Sequence, residues 1–270
     1  MVKFRIFLKW FFVGLVILFI YAPILLLTIN SFNKSNLIQN WEGFSLDHYR
    51  YFFSFDHAPL PAVINTLVLA AVVATLSTIL GSVGAIGIFY SRKKVSGLLS
   101  GVNRIPIINA EIVTAISIAL LVTFLKLDKS TFIPLIIGQM VLCTPFVILS
   151  VIPKLKQMDN NLYEAALDLG ATPTRALFTV IIPQILPGIV SGFLLSVTLS
   201  LDDYVIAEYT RPQSFYTIST YIYSLNKKNA DMLKASFWAF TAIVFLIIVI
   251  VVVAANVAAS KKSKKQINKE

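Results

Sequence analysis

Apolar runs without a formal charge, each long enough to cross lipid, alternate with short charged segments along this chain. The first run, residues 10–33, follows Lys3, Arg5 and Lys9. A helix rises about 1.5 Å per residue, so this run exceeds a hydrocarbon core of about 30 Å. It is too long for the apolar part of a signal peptide, and Ala22-Pro23 makes a poor cleavage site, so it reads as an uncleaved span. A second run covers residues 57–91, and a third ends at Leu125 after an early interruption by Pro106 and Glu111. A fourth covers 130–153. The fifth runs from about Ile185 to Tyr204, with Pro183 and Pro187 at its start, where missing amide donors matter least. Lys234 opens a sixth that ends near Ala259. The pattern predicts an all-α membrane protein with six transmembrane helices.

Between the spans the charges are lopsided. With six spans and both ends on one side, the inner segments hold fifteen of the twenty-three Lys and Arg and the outer segments eight. This bias predicts cytoplasmic N- and C-termini. Residues 45–53 read as a short capped amphipathic helix along the outer interface. Trp41, just before it, is an interface anchor or a cation-facing aromatic. Gly81, Gly84 and Gly87 in the second span predict close contact with another helix; a nucleotide-binding glycine loop would need a preceding strand.

Composition agrees. Apolar residues make up 57% of the chain and charged residues 13%, at a mean hydropathy of +0.80, beyond what a soluble core needs. The net charge of +10 is not a nucleic-acid signal, because the basic residues flank apolar spans and the tail Lys261, Lys262, Lys264, Lys265 and Lys269 serves as a positive-inside anchor beside membrane lipid. A single cysteine, Cys143, rules out an intrachain disulfide and a cysteine metal site. His48 and His57 lie outside the spans, form no ligand cluster and predict surface roles, so no metal site is expected.

One inner stretch, about residues 157–184, has a finer pattern. Asp159, Asn160 or Asn161 can cap a helix, and Gly170 can end it in a left-handed turn. Leu162, Ala165, Ala166 and Leu169 then share an apolar face small enough for close approach. Thr172 and Pro173 open a second helix as cap and first residue, making a helix-turn-helix between two spans. Glu164-Ala165-Ala166, Gly170 and the aliphatic pair before Pro183 resemble the EAA loop of ABC importer permeases, with Val180 and Ile182 where that pattern has Ile and Leu.

The resemblance covers nearly the whole chain. It implies a single permease domain over 1–270 with a MetI-like type I ABC importer fold: a core at about 61–259, the coupling loop at 157–184 and a cytoplasmic tail at 260–270. Within the family the likeness is to PotC-type permeases of spermidine/putrescine importers, carried by Asn30-Ser31-Phe32-Asn33, Asn40-Trp41-Glu42-Gly43-Phe44 and Ser200-Leu201-Asp202-Asp203-Tyr204. Tyr216-Thr217-Ile218-Ser219 and Lys234 depart from that pattern. The resemblance further implies a bacterial inner membrane, a cytoplasmic ABC ATPase dimer that carries the ATP and Mg, a second, PotB-type permease subunit in a heterodimer, and an extracytoplasmic substrate-binding protein. ATPase coupling would fall to Glu164, Ala165, Ala166, Gly170 and Pro183.

The acids bear on the substrate. An ionised carboxylate at mid-bilayer costs about 2.5 to 3.5 kcal/mol on insertion scales, so Asp202 and Asp203 face a cavity, a partner or the headgroups, or else end their helix at the interface. Glu111 fits a salt bridge, a cap or a pathway role. Carboxylates near Tyr204 and Tyr209 suit a flexible polycation, through charge pairing and aromatic faces. Trp41, Glu111, Asp202, Asp203 and Tyr204 are thus the expected pathway residues. The chain contains no G-x-x-x-x-G-K-[ST] and no catalytic set is expected, so it reads as a transporter subunit needing no cofactor of its own. The alternatives are a permease for another small solute and a proton-coupled secondary carrier using the same acids, which would have no use for the helix-turn-helix.

Overall fold

A computed structural model describes residues 2–53, 59–126, 128, 130–159, 161–227, 235–247 and 249–250. His57, Lys234, the expected end of the sixth span and the basic tail lie outside the described residues. The helices are α1 (Val2–Asn30), α2 (Asp47–Phe53), α3 (Pro59–Tyr90), α4 (Lys93–Ile108), α5 (Glu111–Phe124), α6 (Ile133–Gln157), α7 (Asn161–Asp168), α8 (Pro173–Ala176), α9 (Ile182–Asp202), α10 (Val205–Thr210), α11 (Ile218–Lys227) and α12 (Ala235–Ile247). Among the described residues four helices are long and apolar enough to span a bilayer, or five if the bent pair α4 and α5 counts as one. α12 is apolar but described over only 13 residues.

The chain divides into two compact units, residues 1–60 with 222–270, and residues 61–221. In the first unit, the candidate span Leu8–Asn30 of α1 buries only Asn30 at its end, as expected of a helix whose whole circumference is apolar and whose backbone is satisfied internally. Ser45 Oγ accepts the Asp47 amide at 3.0 Å to start α2. His48 and Phe52, one turn apart, form the buried face of α2. Phe52 stacks on Phe240 at 5.5 Å, and the His48 ring sits edge-on to Trp238 at 5.5 Å. His48 is therefore a core residue and not the expected surface one; its spacing from Phe52 carried that information.

In the second unit, α6 and α9 pack along each other, and α10 packs on α5 and α6. Small residues let the helices approach. A Cβ on Gly81 would stand 2.6 Å from Val147 Cβ, and one on Gly188 would stand 2.9 Å from the Ser150 carbonyl. The expected close contact in α3 thus holds at Gly81; Gly87 has nothing within 4 Å among the described residues. At the α7 end, Ala85 and Ile88 of α3 form one core cluster with Val147, Val151 and Leu155 of α6 and with Ile181 and Ile185. Toward the other end, Leu69 and Val73 pack with Leu135, Cys143 and Ala207. In the turn between α5 and α6, the Ser130 amide and hydroxyl donate to the Asp128 carboxylate at 2.8 and 2.7 Å and hold its pKa below the usual carboxylate range.

Two departures from the sequence expectation have local causes. The interruption at Pro106 and Glu111 is a 104° bend between α4 and α5. α4 is amphipathic and buries none of its residues, so it does not share the apolar axis of α5. The second helix of the expected helix-turn-helix does not stop before the fifth span: residues Pro173–Asp202 run continuously. Pro183 has no amide to donate and its ring crowds the carbonyl of Thr179. A π-helical segment, Leu177–Ile181, precedes it, and the Ile182 amide reaches back to the Leu177 carbonyl. The wider turn accommodates the proline without breaking the helix.

Candidate functional site

The stretch 159–183 builds a short lever at one end of the second unit. Asp159 Oδ1 accepts the Asn161 amide at 3.0 Å and opens α7. At the other end of α7, the Gly170 amide bonds to the Leu167 carbonyl and the Ala171 amide to the Ala166 carbonyl. Gly170 takes φ +83°, the left-handed conformation that a Cβ disfavours. Thr172 Oγ1 then accepts the Arg175 amide at 3.4 Å, with Pro173 first in α8. Every feature of this local grammar is where the residues predicted it.

Tyr163 of α7 seats the lever on the bundle. Tyr163 packs against the core cluster at this end of the unit and lies 5.8 Å from the Tyr90 ring at the end of α3. A cavity of about 340 Å³ lies beside the pair, lined also by Pro173, Leu177 and Ile181. α7 buries none of its residues; Glu164 and Ala165 are exposed, and Leu169 is 89% exposed. Caps at both ends thus hold α7 at a defined angle with an apolar stripe exposed.

At the opposite end of α9 the acids diverge. Asp203 is buried and its carboxylate is spoken for. Oδ1 accepts the Ile206 amide and Oδ2 the Ala207 amide, both at 3.0 Å, and Gln139 Nε2 donates to Oδ2 at 2.8 Å. Gln139 is itself buried and accepts from Ser200 Oγ at 2.7 Å. Asp203 thus ends α9, starts α10 and ties both to α6. Asp202, one residue earlier, is exposed, as is Glu111 at the start of α5; Tyr204 is half-buried. Glu111 lies within electrostatic reach of Asp203. Trp41 belongs to the first unit and is exposed.

Sequence reasoning missed Gln139, though a lone amide in the uncharged run 130–153 was a usable signal, since a buried amide needs partners. It also missed Tyr163 and Arg211. Arg211 donates to Glu208 at 3.1 Å and to the Phe215 carbonyl at 3.0 Å, and lies 4.2 Å from the Tyr216 ring centre, bracing the segment after α10.

Residues 77–264 match the family described as binding-protein-dependent transport system inner membrane component. The spermidine/putrescine transport system permease protein PotC of Haemophilus influenzae is 36% identical over 224 residues, covering 83% of this chain and 86% of that protein. The putrescine transport system permease protein PotI of Escherichia coli K12 is 35% identical over 214 residues, 76% of this chain and 75% of that one. Among solved structures, a bacterial ABC transporter involved in the import of the acidic polysaccharide alginate superposes with a TM-score of 0.69 at 20% identity, over 92% of this chain and 94% of that one, a likeness of fold. The chain therefore belongs to the binding-protein-dependent transport system inner membrane component family, as a multi-pass membrane permease subunit and not an enzyme.

Proposed function

We propose that this chain is the permease subunit of an ATP-driven polyamine importer, and that α7 is the element through which a separate cytoplasmic ATPase moves it. The observation that carries the coupling role is the lever itself: capped at both ends, seated by Tyr163 and exposing Glu164, Ala165 and Leu169. The ATP and Mg belong to that ATPase dimer. A second, PotB-type permease completes the pathway, and an extracytoplasmic binding protein delivers substrate. The positive-inside bias supports a cytoplasmic placement of both termini and α7, and the family and its relatives support a bacterial inner membrane.

The polyamine reading draws on relatives whose names specify spermidine and putrescine, and on the exposed acids. In this reading Asp202 and Glu111, both exposed, pair with alkylammonium groups and Tyr204 contacts the chain between them, whereas Asp203 serves the pathway by holding α10. The test is the whole complex, reconstituted with its copurified ATPase and loaded binding protein. Spermidine or putrescine should stimulate hydrolysis and be taken up. Asp202→Asn should lower uptake about tenfold, the loss of one charge-assisted contact, with the complex still assembled. Undiminished uptake by Asp202→Asn would assign that acid to the helix end alone.

A further inference from the structure

Two cavities in the second unit, of about 460 and 400 Å³, share Val102 and Asn103 of α4 and so form one groove between α4, α3 and α6. Leu80 of α3 and Met140 of α6 wall its mid-span end, while Gly87 and Ser91 line the end near α7. The wall is open, with Leu80 53% and Val102 55% exposed. Gly87 meets nothing within 4 Å among the described residues, so it seats no helix and leaves the groove clear. From Leu80 to Tyr90, the last residue of α3, is about 15 Å at about 1.5 Å per residue, the depth of one leaflet in a hydrocarbon core of about 30 Å. At the end near α7 the groove meets charge. Arg92, Lys93 and Lys94 follow Ser91 directly and are exposed, and none of the three pairs with an acid among the described residues. α4 opens on both lysines with no acid in its first turn, the reverse of what a helix dipole favours, so helix stability does not account for them.

We propose that this groove binds an anionic phospholipid, with one acyl chain against Leu80, Val102 and Met140 and the headgroup phosphate on Arg92, Lys93 and Lys94. The two ends of the groove together select the occupant. A second apolar helix would cover the wall and leave three cations unmatched, whereas a soluble anion would match the cations and leave the wall bare. An anionic lipid satisfies both, because its charge sits at the membrane surface and its chain runs one leaflet deep. α4 suits an interfacial position: Val95, Leu98, Val102 and Ile105 form an exposed apolar stripe along it, with Lys93, Ser100 and Arg104 on the opposite face. The site depends neither on the polyamine reading nor on the coupling role of α7.

Photolabelling of the assembled complex in nanodiscs tests the site. The probes are phosphatidylglycerol and phosphatidylcholine, each carrying a diazirine midway along one acyl chain and added in trace to otherwise identical phosphatidylcholine discs, with the labelled residues read by mass spectrometry. The phosphatidylglycerol probe should label the groove, residues 80–106 and 137–148, about tenfold more than the phosphatidylcholine probe. Replacing Arg92, Lys93 and Lys94 together by Gln should bring the two probes level. Val102→Trp, at a position exposed enough to take the ring, should suppress labelling by both. Lys261→Gln with Lys262→Gln and Lys264→Gln removes the same charge from the tail and should leave the preference intact. Equal labelling by the two probes in the wild type overturns the proposal. A preference that falls as much with the tail variant as with the Arg92, Lys93 and Lys94 variant also overturns it, in favour of general attraction to an anionic probe. A groove labelled in the isolated chain and unlabelled in the complex overturns it too, and assigns that face to the second permease subunit.

Discussion

Gly170→Val should reduce substrate-stimulated ATP hydrolysis of the assembled complex about tenfold or more while leaving the amount of chain in the membrane unchanged. A Cβ at this position would meet nothing within 4 Å among the described residues, so no collision is involved. The effect comes from the backbone. A β-branched residue held at φ +83° costs about 1 to 2 kcal/mol, and α7 can relieve it only by changing its exit angle. The core around Val147 and Ile185 does not feel the change, so insertion and folding survive. Gly170→Asn is the control, because asparagine tolerates the left-handed region, and it should keep most of the stimulation. Wild-type stimulation by the valine variant would remove the geometric argument for α7 as the coupling element.

The second large effect is on stability. Asp203→Ala removes the acceptor of three buried donors at once: the Ile206 and Ala207 amides and Gln139 Nε2. Each orphaned donor costs about 1 to 3 kcal/mol, so a loss on the order of 3 kcal/mol or more is expected, seen as a lower midpoint in thermal denaturation of the purified chain. Asp203→Asn should be milder. Its amide oxygen can still accept the Ile206 amide, and its amide nitrogen can donate to Gln139 once that side chain turns over, but the Ala207 amide then loses its acceptor. Ser200 Oγ, which now donates to Gln139 Oε1, can accept from Nε2 in the turned state. An alanine variant as stable as wild type would mean that the Asp203 network does not hold α10.

The lever was readable in the residues because its determinants are local. An Asx cap, a glycine in the left-handed region and a Thr-Pro start each act within four residues, and no distant contact overrides them. The spans were legible for a similar reason, since lipid forces the backbone to satisfy itself within each helix. What escaped depends on partners far away in sequence. Asp202 and Asp203 look alike side by side; the Ile206 and Ala207 amides and Gln139, 64 residues away, set Asp203 apart. Pro106 and Glu111 marked an interruption, but neither residue gives the size of the 104° bend. At Pro183 the sequence signalled a helix start, and the π-helical segment turned it into a position inside a longer helix.

If α7 faces the ATPase on the cytoplasmic side, a thiol placed on it reports that side. Cys143, the chain's one cysteine, is fully buried, so an Ala165→Cys chain carries a single accessible thiol on the exposed side of α7. A membrane-impermeant maleimide should label that thiol in inside-out vesicles and not in right-side-out ones, and assembly with the ATPase should protect it. Labelling from the extracytoplasmic side, or equal labelling with and without the ATPase, would contradict the account.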